Sequence, residues 1–411
     1  MTGPARIVLV GGGLAAARTA HALRKRGYDG ALTLLTAEPH RPYERPALSK
    51  GYLSGDTPRE TLFVHGADWY PEHEVDLRTG TRAVALDRSR QEVRAESGER
   101  FRYDAVLLAT GANPRRVAVP GADLDGVLTL RTLDDSDDLR TRLRRRDPVV
   151  IVGGGWIGLE VAAVARAAGC DVTVVEASQV PLRRVLGPVV APAFTALHRD
   201  HGVRFELGAS VHAFVANDSG VVAGVRLADG TVLPAGTVLV AVGVTPADGL
   251  AREAGLPVPD GVAVGADLRT DDPAVVVAGD LAAAEHPVLG RRLRVEHWAN
   301  ALRQAPVAAA ALAGEPTSYL RLPYVFSDQY DLSLEYVGAV EDPERARVVV
   351  RGSLHDRTFV AFWLQDDRVQ AAMSVNTTGL VRALEELIRS GRPVHAARLA
   401  DPDAPLEAVH A

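Results

Sequence analysis

The sequence predicts an α/β fold: two parallel-sheet domains grown from β-α-β units, then a small α+β domain at the C-terminus. Three observations predict it. The apolar run RIVLV at 6–10 leads through a glycine turn into a helical pattern ended by Gly27, and a second run, LTLLT, follows at 32–36. The same grammar returns at 149–176 as VVIV, GGGWIGLEVAAVARAAG and VTVVE. Beyond Leu320 the style changes to alternating runs of antiparallel type. A chain of 411 residues has room for two or three domains.

Taken in order, the second unit's helix repeats Ile157, Val161, Val164, Ala165 and Ala168 at helical spacing. YDAVLLATG (103–111) and TVLVAVGV (237–244) are apolar runs that reach a glycine, and PAVVVAGD (273–280) is a buried strand that ends in an acid. A helix begins near His297, and Pro306 is expected to kink its second half. Strands follow at 332–338, 347–352, 359–364 and 368–375, with Asp366-Asp367 as a tight turn between the last two. A helix at 379–391 precedes Pro393, and the tail beyond about 400 is expected to fray.

Composition narrows the function classes. Hydrophobic residues make up 47% and charged residues 24%, which suits a packed core and not a disordered chain. No uninterrupted apolar run reaches the ~18 residues of a membrane span, so no membrane partner is expected. The first strand starts at Arg6, which leaves no room for a signal peptide. The only cysteine, Cys170, rules out a disulfide framework, a Cys-x-x-Cys pair and an all-cysteine metal site, so no metal is expected. A cytoplasmic location is the expectation for such a chain. A net charge of −6 argues against nucleic acid as a partner. Lysine occurs only at Lys25 and Lys50 among 46 Lys and Arg residues, so a lysine here marks a place where a compact ammonium is wanted.

Two glycine motifs carry the chemistry. In Gly11-x-Gly13-x-x-Ala16, with Leu14 and Ala15 between, the glycines allow a tight turn and the close approach of a pyrophosphate to a helix N-terminus. Ala16 stands in for the third glycine. Glu38, just past the second strand, is placed to hold ribose hydroxyls. The second motif, Gly153-x-Gly155-x-x-Gly158, encloses Trp156 and Ile157 and has its acid at Glu176. An acid there favours the free 2′-hydroxyl of NAD over the 2′-phosphate of NADP. Arg183 and Arg184 follow, either approaching the adenosine or solvated in a loop. Each motif sits between a strand and a helix, the context that lifts it above a bare glycine pattern. Two such Rossmann-like dinucleotide-binding domains in one chain fit one bound FAD and one exchangeable NAD(P)H, with the acid at Glu176 favouring NADH. Asp280 is suited to the flavin's ribityl chain, or to a helix N-cap.

The chain resembles the two-dinucleotide-binding flavoprotein reductases, and more narrowly the NADH-dependent ferredoxin reductases of oxygenase systems, the putidaredoxin-reductase and biphenyl-dioxygenase-reductase type. The resemblance spans nearly the whole length. It rests on GGGLAAA (11–17), RPALSKGYL (45–53), ATGANPR (109–115), GGGWIGLE (153–160), AVGVTP (241–246), AGD (278–280), EHWANA (296–301) and SDQYD (327–331). It implies an FAD domain from 1–112 and 245–318, an inserted NAD domain at 113–244, and a C-terminal interface domain at 319–411. Pro114, Pro246 and Pro323 punctuate those junctions.

The resemblance also implies roles. Lys50 lies beside the flavin's N5 and O4, where an ammonium stabilises charge as hydride arrives. Glu160 pairs with that lysine and contacts the nicotinamide amide. The helix begun at His297 points its N-terminus at the pyrimidine side of the flavin, with Trp298 at the ring; Trp298 also reads as ordinary core. Arg45 shapes the flavin wall, Thr110 and Gly111 close a strand near the diphosphate, and Gly243 is expected to allow close packing.

Dithiol reductases need a cysteine pair beside the flavin, and peroxidases need one reactive cysteine in the first domain; Tyr43 to Lys50 reads YERPALSK and has neither. What remains is electron transfer from NADH through flavin to an external acceptor, and a flavin that releases electrons one at a time suits an iron–sulfur partner. The resemblance implies an acidic, one-electron [2Fe–2S] ferredoxin that supplies a cytochrome P450 or Rieske-type oxygenase. Arg291, Arg292 and Arg294 are the candidates for docking it, or a solvated arginine strand. The alternatives are a reductase of quinones or other small acceptors, and a flavoprotein resembling apoptosis-inducing factor. A monomer or weak dimer is expected. Val325-Phe326 replaces the Phe-Trp pair common before SDQYD, a departure on the acceptor side.

Overall fold

The computed structural model describes residues 3–410. The chain forms two compact units. The first takes the chain up to Arg45, with Pro58–Asn113 and Thr245–Pro323; the second takes Pro46–Thr57, Pro114–Val244 and the chain from Tyr324 onward.

The first unit is built on a five-stranded sheet in the order Val275–Val277, Ala105–Leu108, Arg6–Val10, Ala31–Leu35, Val75–Arg78. Every pairing is parallel, with Ile7 opposite both Leu32 and Ala105. Parallel neighbours need a crossover, and the helix Leu14–Lys25 supplies the first. Because both faces are covered, the strands are apolar throughout instead of alternating: Leu9, Leu34, Val106, Leu107, Val275 and Val276 are all fully buried. Strand order reverses about Arg6–Val10, and crevices form at the carboxyl ends of strands at such a switch point.

The helix Trp298–Leu312 packs along Leu14–Lys25. Ala16 and Ala20 on one side, with Ala308 and Ala309 on the other, are fully buried in the same core. Such small side chains let the helices approach closely enough for the Thr19 hydroxyl to reach the Ala305 carbonyl, at 3.4 Å. The helix runs as one element through Pro306, so the expected kink does not divide it.

The second unit repeats the plan. Its sheet orders Arg204–Leu207, Val172–Glu176, Val149–Val152, Thr237–Val240, Val127–Leu128, all parallel. Trp156–Ala167 is the first crossover helix. The same unit holds an antiparallel sheet in the order Tyr324–Gln329, Leu332–Gly338, Arg368–Val375, Thr358–Gln365, Arg347–Ser353. These four last strands are the ones expected from alternation. Asp366 and Asp367 turn between two of them with φ of 49° and 55°, the doubly positive pair of a two-residue hairpin. The sheet's Leu334, Trp363 and Met373 share a core with Leu159, Leu186 and Phe194 of the helices.

The tail does not fray as expected. The helix Val381–Ser390 ends on left-handed Gly391, and the chain then returns: His395 N–H donates to the Val409 carbonyl at 2.8 Å, and Val409 is fully buried. Burial of Leu399 and Val409 supplies the apolar area that holds it. Among the described residues, no helix is long and apolar enough to cross a membrane.

Candidate active site

Each glycine motif ends a parallel strand and opens a helix. Gly11 and Gly153 have φ of +132° and +107°, and a Cβ on either would fall 2.2 Å from the Ala109 oxygen or 2.5 Å from the Ala241 oxygen, so both turns demand glycine. Gly13 and Gly155 are the helix N-caps, and neither helix has a side-chain cap. A Cβ built on either would meet nothing within 4 Å. The helix Leu133–Leu143, by contrast, is closed by a Thr132–Asp135 capping box. Uncapped first-turn N–H groups facing open space fit the diphosphate of a dinucleotide, for FAD at one cradle and NAD at the other. Ala16 is fully buried, and Gly158 could not carry a Cβ, which would meet the Gly153 oxygen at 2.2 Å. Leu14 and Ala15 are buried in the first turn of their helix, whereas Ile157, in the first turn of the second cradle's helix, is exposed; Trp156 stands edge-on to Phe194.

The two acids are held in place. Glu38 accepts from the Tyr43 hydroxyl at 2.5 Å and from Arg45 at 2.7 Å, while Arg45 also donates to the Tyr43 oxygen at 2.9 Å. Glu176 accepts from the Gly154 N–H and the Ser178 N–H, each at 2.7 Å, which ties it to the second cradle. A carboxylate has about four acceptor sites, so each retains capacity for ribose hydroxyls. Arg183 forms a two-pronged pair with Glu344 at 2.7 and 3.0 Å, and Arg184 is exposed.

Asp280 lies inside the turn Gly279–Leu281, whose N-cap is Ala278, so Asp280 is not the cap. Gln304, a residue the sequence did not mark, orders this turn by accepting the Gly279 N–H at 2.8 Å. Thr110 donates to the Ala247 carbonyl at 2.8 Å, and Gly111 has φ of +72°. The helix begins after His297 as expected, and the His297 side chain caps it by accepting the Ala299 N–H. Trp298 packs against Leu14, Ala17 and Val64 and donates to Glu44 at 3.1 Å; it is half-buried, not core. Gly243 needs its φ of +99°, but a Cβ there would meet nothing within 4 Å, so conformation and not the expected close packing explains it.

Lys50 and Glu160 come together. Lys50 follows the 3-10 turn Pro46–Ser49, and Glu160 sits in the second cradle's helix; Nζ and Oε2 are 2.6 Å apart. The side chains are 20% and 5% exposed, which removes the pair from the class of weak surface ion pairs. Ser49 donates to Oε2 at 2.5 Å and Ser327 to Oε1 at 2.6 Å. Neither serine had a role assigned from the sequence, although both lie within quoted motifs, RPALSK and SDQYD. The arrangement holds an ammonium and a carboxylate in fixed register, able to stabilise negative charge and to accept a hydrogen bond.

The basic strand behaves otherwise. Arg292 donates to the Val264 and Ala283 carbonyls and to Glu285, and Arg294 pairs with Asp260 and Glu296. Two of the three arginines proposed for docking thus have internal work. Cys170 is fully buried, its Sγ facing the Leu143 carbonyl, and burial raises its pKa. It has none of the exposure a reactive thiol needs.

The pattern for pyridine nucleotide-disulphide oxidoreductases matches residues 5–305. The chain belongs to this family. A reductase C-terminal pattern matches residues 324–410, the antiparallel sheet and its helices. Rhodocoxin reductase of Rhodococcus erythropolis is 38% identical over 98% of this chain and 93% of that protein. The ferredoxin–NAD(+) reductase component of the anthranilate 1,2-dioxygenase system of Burkholderia cepacia is 40% identical over 97% of this chain and 98% of its own. The crystal structure of a covalent putidaredoxin reductase–putidaredoxin complex superposes with a TM-score of 0.94 at 36% identity, over 98% of this chain and 97% of that one. Despite the family's title, a member with one buried cysteine has no dithiol to offer.

Proposed function

We propose that the chain is an FAD-dependent ferredoxin–NAD(+) reductase, moving electrons from NADH through FAD to a [2Fe–2S] ferredoxin that supplies a cytochrome P450 or Rieske-type oxygenase. The observation that carries this reading is the pair of uncapped glycine cradles in one chain, each with a tethered acid. Relatives matched over nearly their whole length, named as a rhodocoxin reductase and as the ferredoxin–NAD(+) reductase component of a dioxygenase system, support it.

Bound FAD supplies a centre that takes two electrons as hydride and gives them up singly. The chain's own residues do the rest. In this reading Gly11, Gly13 and the first turn with Leu14, Ala15 and Ala16 hold the FAD diphosphate, Glu38 its ribose, and Asp280 the ribityl chain. Arg45, Thr110, Gly111, His297 and Trp298 complete that site. Gly153, Gly155, Trp156, Ile157 and Gly158 receive NADH, Glu176 selects its free 2′-hydroxyl, and Arg183, Arg184 and Gly243 border it. Lys50 stabilises charge as hydride arrives, and Glu160 fixes Lys50 and orients the nicotinamide amide. The division is one of three domains, 1–112 with 245–318, 113–244 and 319–411.

The partner is an acidic ferredoxin; of its candidate contacts Arg291, Arg292 and Arg294, the internal bonds of Arg292 and Arg294 speak against those two. The protein is a cytoplasmic monomer or weak dimer without membrane attachment. The lone buried cysteine suits a reducing compartment. Anaerobic stopped-flow mixing with NADH tests the first half: the flavin absorbance should bleach. Adding an oxidised [2Fe–2S] ferredoxin should restore it. No bleaching overturns the reading; bleaching with turnover of quinones and none of ferredoxin assigns the chain to small acceptors.

A further inference from the structure

Behind Glu160 the second unit contains a continuous line of buried polar side chains. Ser327, Gln329 and His198 are at most 1% exposed. Ser327 and Gln329 are two apart on one strand and so project to the same face, while Asp328 between them is exposed. His198 comes from the helix Arg183–Asp200. Elements from three places in the chain meet here.

The direction of each bond follows from its neighbour. A carboxylate accepts only, so Ser327 spends its O–H on Glu160 Oε1 at 2.6 Å. Its oxygen then accepts from Gln329 Nε2, at 3.2 Å. That sets the amide's orientation and presents Gln329 Oε1 to His198 Nε2, at 2.9 Å. Nε2 must therefore carry a proton. The ring is neutral, since burial pushes its pKa down to about 4, so Nδ1 is an acceptor. The Tyr330 hydroxyl lies 3.4 Å from it. Every donor along the line points toward the carboxylate, and such chains polarise in a cooperative way. The amide in the middle breaks any proton wire, which leaves orientation as the task.

We propose that Ser327, Gln329 and His198 are positioning residues that set the Glu160 carboxylate, and through it the Lys50 ammonium, for hydride transfer. The proposal rests on the reductase reading above. It gives the C-terminal domain a part in the NADH half-reaction, through the strand Tyr324–Gln329.

The test uses the FAD-loaded full chain. Ser327→Ala should lower the limiting rate of flavin reduction by NADH about tenfold, the cost of one misaligned charged hydrogen bond. Ser327→Thr, which keeps the hydroxyl, should return it to within about threefold of wild type. In a Glu160→Gln background, Ser327→Ala should add nothing. A wild-type rate in Ser327→Ala, or an undiminished further loss in the Glu160→Gln background, overturns the proposal. Ring ¹⁵N spectra of His198, in protein with and without FAD, give a readout apart from turnover: a neutral Nε2–H tautomer is expected at pH 7, and an Nδ1–H or charged ring overturns the chain's direction. If wild type itself is not reduced by NADH, the reductase reading fails, and the spectra still report on the chain.

Discussion

Lys50 Nζ lies 2.6 Å from Glu160 Oε2, an ion pair joining the residue after a 3-10 turn early in the chain to the helix of the second cradle. The carboxylate is 5% exposed and takes two serine hydroxyls besides. Removing one partner of so buried a pair leaves the other charge uncompensated, which costs about 3–5 kcal/mol in comparable cases. In the proposed reading the ammonium also stabilises charge as hydride arrives, so Lys50→Ala should slow flavin reduction by about 100-fold. Lys50→Arg should not rescue it, because a planar fork cannot occupy the position of a compact ammonium. Rates from anaerobic stopped-flow decide; a wild-type rate in Lys50→Ala removes Lys50 from the chemistry, and one in Lys50→Arg removes the need for a compact ammonium.

The cradle glycines should separate folding from binding. Gly13 and Gly155 have space for a side chain and ordinary extended φ. Gly13→Val should purify without FAD, and Gly155→Val should keep FAD while its KM for NADH rises; Tm in both should stay within about 4 °C of the apoprotein or holoprotein control. Gly11→Ala and Gly153→Ala, which drive a Cβ onto a backbone oxygen, should lower Tm itself. Flavin content and thermal melts check all four, and retention of FAD by Gly13→Val would count against the cradle.

Glu176 bears on coenzyme choice. Its carboxylate is anchored by Gly154 and Ser178, and in the proposed reading its negative charge repels the 2′-phosphate of NADPH. Glu176→Ala should reduce the preference for NADH over NADPH about tenfold. Discrimination measured as the ratio of kcat/KM values is the check, and an unchanged ratio moves the selecting charge elsewhere.

Acid should loosen the second unit through His198. Burial holds its folded pKa near 4, against 6.5 for a free histidine. The neutral ring is the form the fold accepts, so stability is whole above pH 6.5. It falls as pH drops below that value, where the unfolded chain binds a proton the folded one does not, and the loss is complete below about 4. The loss amounts to about 2 kcal/mol by pH 5. His65, also pushed down to about 4 by burial, acts in the same direction. Urea titrations at pH 7 and pH 5 measure the difference, and His198→Phe should shrink it. An identical difference in the variant would falsify the depressed pKa.

Cys170 should be silent. Its thiol is buried and its pKa raised. Ellman's reagent should label it only after denaturation, and Cys170→Ala should leave NADH-driven flavin reduction unchanged. Rapid labelling of the native protein would contradict the burial.

Much of this architecture was legible without coordinates, because it depends on local order. Apolar runs without alternation announce parallel strands covered on both faces, and the positive φ at Gly11 and Gly153 belongs to a turn a few residues wide, although the Ala109 and Ala241 oxygens that also exclude a Cβ are remote in sequence. The doubly positive φ at Asp366 and Asp367 was likewise signalled by the residues themselves. The tail was misread because its order comes from Leu399 and Val409, whose burial depends on chain remote in sequence.

The sequence by itself determined the two glycine cradles, their acids and the absence of redox cysteines, since each is a property of adjacent residues or of composition. Tertiary structure alone decided that Ser49 and Ser327 complete the Lys50–Glu160 pair, that Arg292 and Arg294 are engaged internally, and that His198 stands behind Gln329. The reason is physical: a hydrogen bond is formed by atoms within about 3 Å, and no spacing along the chain encodes which distant side chains the packed core will bring to that distance.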